Sequence, residues 1–125
     1  MLRRFRIKKL PGYLIFCIKR FDSSQKKQKG VQQEKNTIIV NHPISNLSLS
    51  GISRANADEC SGDCQYDLVA NVYHEGNGSG EAKGSYRVHV RSKECWYQMQ
   101  DLFVEQIQAQ MVILSESVIQ IWKRL

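Results

Sequence analysis

From Tyr66 to Trp122 the chain is a succession of short segments in which apolar residues recur at every second position, separated by turn residues. YDLVANVYH (66–74) sets Leu68, Ala70 and Val72 against polar Asp67 and Asn71. SYRVHVRS (85–92) repeats the alternation with Tyr86, Val88 and Val90. After a tight turn at Ser92-Lys93-Glu94 comes ECWYQMQD, and ESVIQIWKRL closes the chain with a β-branched run from Val118 to Trp122. A period of two is the mark of a half-buried strand, because successive side chains point to opposite faces. The chain must therefore fold around a sheet. YLIFCIKRF (13–21) is instead a continuous apolar run ending in charge, which suits a central strand covered on both faces. On that reading Leu14 is a core residue, and Trp96, Tyr97 and Trp122 pack near it. TIIV (37–40), ended by Asn41-His42-Pro43, reads as a short strand, and LFVEQIQAQM (102–111) as a short helix. About six strands and little helix result, with no internal repeat.

Between these elements lie polar stretches. Residues 22–36, DSSQKKQKGVQQEKN, form a loop, and residues 45–65, rich in Ser, Asn and Gly, form a long loop or insertion. EGNGSGEAKG (75–84) is a glycine-rich hinge. Its glycines do not open a helix after a strand, which argues against a dinucleotide or phosphate loop. At 125 residues the whole is one small domain, 1–125, with a modest core.

Charge is unevenly spread. Residues 1–35 hold eleven lysines and arginines against two acids, and the remainder hold seven against ten. A basic arm on a mildly acidic body suits nucleic acid or an acidic partner, or simply a solvated basic edge that keeps a strand from aggregating. Aromatics interleaved with the basic residues would favour nucleic acid. Phe5, Phe16 and Phe21 are there, but Phe16 lies inside an apolar run, so direct nucleic-acid contact stays open. The apolar run around Leu14–Ile18 is cut off by Lys19, far short of the ~20 residues a membrane span needs. MLRRFRIKKL resembles a transit peptide only in lacking acids, since Pro11-Gly12 and a strand pattern follow at once.

The cysteines are Cys17, Cys60, Cys64 and Cys95. Cys17 sits in an apolar run and reads as a buried small hydrophobe. CSGDC pairs Cys60 with Cys64 in a C-x3-C spacing. A structural zinc needs four ligands, and His42, His74, His89 and Cys95 supply no second close pair. Two free thiols in a loop is the simpler reading, and no metal or cofactor is expected.

GSYRVHV places Ser85 at the entrance to a strand. A serine nucleophile needs a strained elbow and a histidine base within hydrogen-bond reach. Gly84-Ser85-Tyr86 lacks that elbow. His89 lies four residues along the strand, roughly 13 Å away at ~3.3 Å per residue. His74 precedes the glycine hinge and could fold back.

Several motifs together resemble one family. LPGYLIFCIKRF (10–21) is similar to the Leu-Pro-x-x-Leu-x-x-x-x-Lys-Arg-Phe signature of the ubiquitin-specific proteases. YDLVANVYHEG resembles their strand before the histidine box, GSYRVHV that Gly-His-Tyr box, and WYQMQD their Trp-Tyr-x-Phe-Asp-Asp segment. VIQIWKR resembles the family's closing strand. The resemblance implies an α+β, strand-rich fold: the C-terminal, palm-like portion of a papain-like cysteine protease fold. The family's nucleophilic cysteine box and finger region would lie upstream, so the chain reads as a fragment.

The same resemblance implies that Ser85 stands where active members have the histidine base, and Gln100 where they have the Asp or Asn that orients it. Asp101 corresponds to a neighbouring acid that can assist. A thiol with a pKa near 8.5 is only a few per cent thiolate at neutral pH, and a serine hydroxyl cannot activate it. The resemblance narrows to a catalytically inactive branch that works in pre-mRNA splicing, associated with the tri-snRNP particle. It implies a nuclear pseudoenzyme with spliceosomal protein partners, weak ubiquitin binding at most, and no catalytic residues. The basic loop from Lys26 to Lys35 would be a secondary electrostatic contact. The alternatives are an active cysteine deubiquitinase using His74 or His89 as an unrecognised base, and an autonomous nucleic-acid-binding module.

Overall fold

The fold was obtained as a computed structural model, which describes residues 3, 5–21, 35–49, 65–76 and 84–125. In chain order these form β1 (Tyr13–Cys17), β2 (Leu47–Ser48), β3 (Gln65–Glu75), β4 (Ser85–Ser92), β5 (Cys95–Gln100), β6 (Phe103–Ile107), α1 (Ala109–Ile113) and β7 (Ser117–Arg124). All strand pairs are antiparallel, in the order β1-β7-β3-β4-β5-β6, and β2 pairs with the start of β3. The strand-rich fold read from the alternation is the fold observed.

One face of the sheet carries the core. Leu14, Trp122 and Leu68 form a row across β1, β7 and β3. Tyr66, Trp96, Leu10, Leu49 and Val112 pack with that row. Trp122 is 1% exposed, and truncating such a residue to Ala typically costs about 3–5 kcal/mol. The next row is Phe16, Gln120, Asn71 and His89, and its three polar members are buried. Asn71 Nδ2 donates to Ser115 Oγ at 2.8 Å and lies 3.2 Å from His89 Nδ1. Ser115 Oγ in turn donates to the Val112 carbonyl at 2.7 Å. This network ties the end of α1 to the sheet, and leaving any member unpaired would cost about 1–3 kcal/mol.

Several expectations are corrected. Among the described residues β1 is an edge strand, bonded only to β7, not a central one. Leu14 and Phe16 turn toward the core, while Tyr13 and Ile15 are 59% and 67% exposed and Cys17 is exposed rather than buried. The apolar run is continuous because both faces of β1 are apolar, although only one is covered. Trp122 and Trp96 are core residues, as expected, but Tyr97 is not. It alternates with Trp96 onto the opposite face and is half-buried there.

The helix expected over 102–111 is a strand followed by a shorter helix. Phe103–Ile107 pairs with β5 through a tight turn in which Asp101 takes a left-handed conformation (φ 52°). Pairing with a ready neighbour overrides local preference, and the five-residue α1 begins only at Ala109. Thr37–Val40 forms no strand, and Ile38 is 71% exposed. The loop expected over 45–65 holds β2, a buried Leu49 and the first residue of β3. Cys60 and Cys64 lie outside the described residues. Among the described residues no helix is long and apolar enough to cross a membrane.

Candidate functional site

Ser85 opens β4, directly opposite Glu75, the last residue of β3. The antiparallel register continues with His74 opposite Tyr86 and Tyr73 opposite Arg87. Glu75, Ser85, Tyr73 and Arg87 therefore share one face, and His74 and Tyr86 share the other. β5 runs alongside with Met99 opposite Val88. One further step sets Gln100 opposite Arg87, on the Ser85 face and diagonal to Ser85, a relation that spans about 7–8 Å. Arg87 turns the other way, toward β3, where its Nε lies 2.9 Å from Glu75 Oε2. Ser85, Gln100 and Asp101 are all exposed. Asp101 does not join the cluster, because it forms the β5–β6 turn.

The two histidines are held elsewhere. His74 is buried on the opposite face between the rings of Phe21 (centroids 5.3 Å) and Tyr86 (5.0 Å). Burial first, and then the charge of Lys35, lowers its pKa from the ordinary value of 6.5. Its imidazole fits only because residue 84 is glycine. A Cβ there would lie 2.3 Å from His74 Nε2 and 2.2 Å from the Glu75 carbonyl oxygen. His89 lies on the Ser85 face but deep in the sheet, stacked on Tyr73 at 4.4 Å. Burial lowers its pKa from 6.5 to about 4. As anticipated from strand spacing, it does not reach Ser85.

Two buried cations fix this end of the sheet. The Lys35 amino group donates to the carbonyls of His74 and Gly76, each at 2.9 Å, and pairs with the Glu116 carboxylate. Its side chain is 0% exposed. Lys35 is thus a structural clamp, and the expectation that it offers a solvated charge to a partner is corrected. Lys26, Lys27 and Lys29 lie outside the described residues. Arg20 is also buried, and its guanidinium donates to the carbonyls of Ser117 (2.7 Å), Asn36 (2.9 Å) and Ile38 (2.7 Å). Each bond joins a charged donor to a neutral carbonyl, stronger than a neutral pair. The Lys-Arg-Phe segment therefore works through Arg20, which gathers three chain segments, and Phe21, which walls His74.

On the Ser85 face the described residues offer a hydroxyl, an amide, a guanidinium–carboxylate pair and a phenol, with no imidazole beside Ser85. Arg87 and Glu75 were not singled out from the sequence. The signal was there for Arg87: it stands two residues after Ser85, so on a strand it must share that face.

Comparison with known proteins agrees with this architecture. Residues 3–122 match the family described as ubiquitin carboxyl-terminal hydrolase. The chain is 46% identical over 125 residues to ubiquitin carboxyl-terminal hydrolase 39 of Homo sapiens, covering 98% of this chain and 21% of that protein. It is 36% identical over 129 residues to the probable mRNA-splicing protein ubp10 of Schizosaccharomyces pombe, covering 99% of this chain and 25% of that one. The chain thus spans about a fifth to a quarter of the length of these relatives. Among solved structures, Ubp8 in the SAGA DUB module superposes with a TM-score of 0.77 at 19% identity, over 96% of this chain and 25% of the other. An essential yeast splicing factor superposes with a TM-score of 0.70 at 21% identity, over 94% and 26%. On a family match that runs through nearly the whole chain, the protein belongs to the ubiquitin carboxyl-terminal hydrolase family.

Proposed function

We propose that this chain belongs to a catalytically inactive ubiquitin-specific protease-like domain that serves as a protein-docking scaffold in pre-mRNA splicing, in the nucleus, with tri-snRNP proteins as partners. The observation that carries the reading is Ser85 at the mouth of β4, exposed, with Glu75 opposite it, Arg87 two residues along the strand and no imidazole beside it among the described residues. In this reading Ser85 occupies the position of the family's base and Gln100 that of its orienter. A hydroxyl beside a guanidinium cannot take the proton from a cysteine thiol near neutral pH. The relatives named for mRNA splicing supply the process.

With the base gone, the retained protease fold is most simply explained by its surface. A pull-down of tri-snRNP components by the intact protein tests this, with charge-reversed Lys26, Lys27 and Lys29 beside it. The scaffold reading expects spliceosomal proteins to be enriched, and their absence would overturn it. Enrichment insensitive to the reversal and to salt would remove only the loop's role, since exposed charges are screened beyond about 8 Å at physiological ionic strength.

A further inference from the structure

Asp67, near the start of β3, lies eight residues from Glu75, roughly 26 Å along the strand at ~3.3 Å per residue. There the strand ends enclose an open cavity of about 480 Å³, bordered by Asp67, Arg91, Lys93, Lys123 and Arg124. Its lining thus carries four cationic side chains and one side-chain carboxylate. Arg91 is held in place: its Nη1 lies 3.4 Å from both Asp67 Oδ2 and Ser45 Oγ, and its Nε donates to the Lys93 carbonyl at 3.3 Å. Arg124 Nη1 donates to the Leu10 carbonyl at 3.3 Å. Among the described residues neither Lys93 nor Lys123 pairs with an acid. Lys93 is carried out on the β4–β5 turn by its left-handed backbone (φ 57°). The remaining wall is apolar, made by Val69 and Leu125.

The geometry points to a binding site for a phosphorylated peptide, with a phosphoserine or phosphothreonine seated among Arg91, Lys93, Lys123 and Arg124. A phosphomonoester carries a charge of about −1.5 to −2 at neutral pH and three strong acceptor oxygens. That matches a pre-positioned guanidinium with unpaired ammonium groups beside it, the arrangement by which cation clusters recognise phosphorylated segments. The cavity is larger than a phosphate alone needs, and its apolar wall suits the side chain beside the modified residue. The lining does not suit RNA. It holds no aromatic ring on which a base could stack, and the Asp67 carboxylate would face the continuous charge of a nucleic-acid backbone. This inference does not depend on whether the domain has lost catalysis.

Binding to the intact protein is measured by fluorescence anisotropy with a short labelled peptide bearing a central phosphoserine flanked by glutamates. The unphosphorylated peptide and a short uridine RNA are run beside it. The phosphopeptide should bind at least 10-fold tighter than its unphosphorylated form, and more weakly as salt rises. The exposed double variant Lys93→Gln/Lys123→Gln, which removes both charges without setting a second carboxylate opposite Asp67, should weaken it at least 10-fold without moving the unfolding temperature. Arg91→Gln should weaken it as well. Equal binding of the two peptides, no phosphopeptide binding, indifference to the double variant, or displacement of the peptide by a lower concentration of the RNA would each overturn the proposal.

Discussion

The buried amino group of Lys35 pairs with the carboxylate of Glu116 while donating to two carbonyls at the end of β3, so one lysine joins the residue that precedes β7 to the end of β3. A lysine with no exposed side-chain surface is tolerated only because all its donors are engaged.

Lys35→Met therefore leaves a carboxylate and two carbonyls without their partner. Removing one member of a buried pair costs about 3–5 kcal/mol. Glu116 keeps 28% of its side-chain surface in water, so about 2–4 kcal/mol is expected. Urea unfolding measures the loss. Glu116→Gln should cost clearly less, because Lys35 keeps its carbonyls.

Gly84→Ala would drive a methyl group into the Glu75 carbonyl at 2.2 Å and the His74 ring at 2.3 Å. The carbonyl is backbone and cannot swing aside. We expect a loss of at least about 2 kcal/mol, in the range of overpacked cores. Gly12→Ala, where nothing lies within 4 Å of the new atom, is the control and should stay within about 0.5 kcal/mol. Equal melting temperatures for the two variants would contradict the packing of His74 against residue 84.

The pH dependence follows from His89. Its pKa falls from 6.5 to about 4 on folding, so protonation favours the unfolded chain. Its contribution is fully present above about pH 6.5 and is lost as pH falls toward about 4, where the loss levels off. At ~1.4 kcal/mol per pKa unit the whole effect is on the order of 3 kcal/mol. The lowered pKa of His74 acts in the same direction. Unfolding curves at neutral and mildly acidic pH should show this slope. Replacing His89 with Asn should flatten it, and an unchanged slope would assign it to other groups.

Catalysis is tested on the intact protein with a fluorogenic ubiquitin substrate. No turnover is expected, and Ser85→Ala should change nothing. Turnover that survives Ser85→Ala but disappears in His74→Ala would show that the buried histidine serves as the base, and would restore the deubiquitinase reading.

Much of this was legible in the order of residues. β3 and β4 stand where alternation of apolar and polar residues placed them, because a strand half-buried on one face imprints a period of two, and β5 and the core of β7 where the tight turn at 92–94 and the β-branched run placed them. The same period set Ser85 apart from His89 and would have set Arg87 beside Ser85 had it been applied there. The family motifs, being short and ordered, were likewise readable without a fold.

What the residues alone could not specify is which neighbour each segment meets. The apolar run of β1 is the same whether the strand is central or at an edge, and it is the sheet around it, in which β7 is its one partner among the described residues, that leaves Ile15 and Cys17 exposed. Residues 103–107 became a strand because β5 stood ready to pair with them. Lys35 reads as a loop charge because a cation is buried only where several acceptors converge, and its carbonyl acceptors lie 39 and 41 residues away along the chain. Local sequence sets the period of an element, whereas long-range contact sets which of its faces is covered and which of its charges are paired.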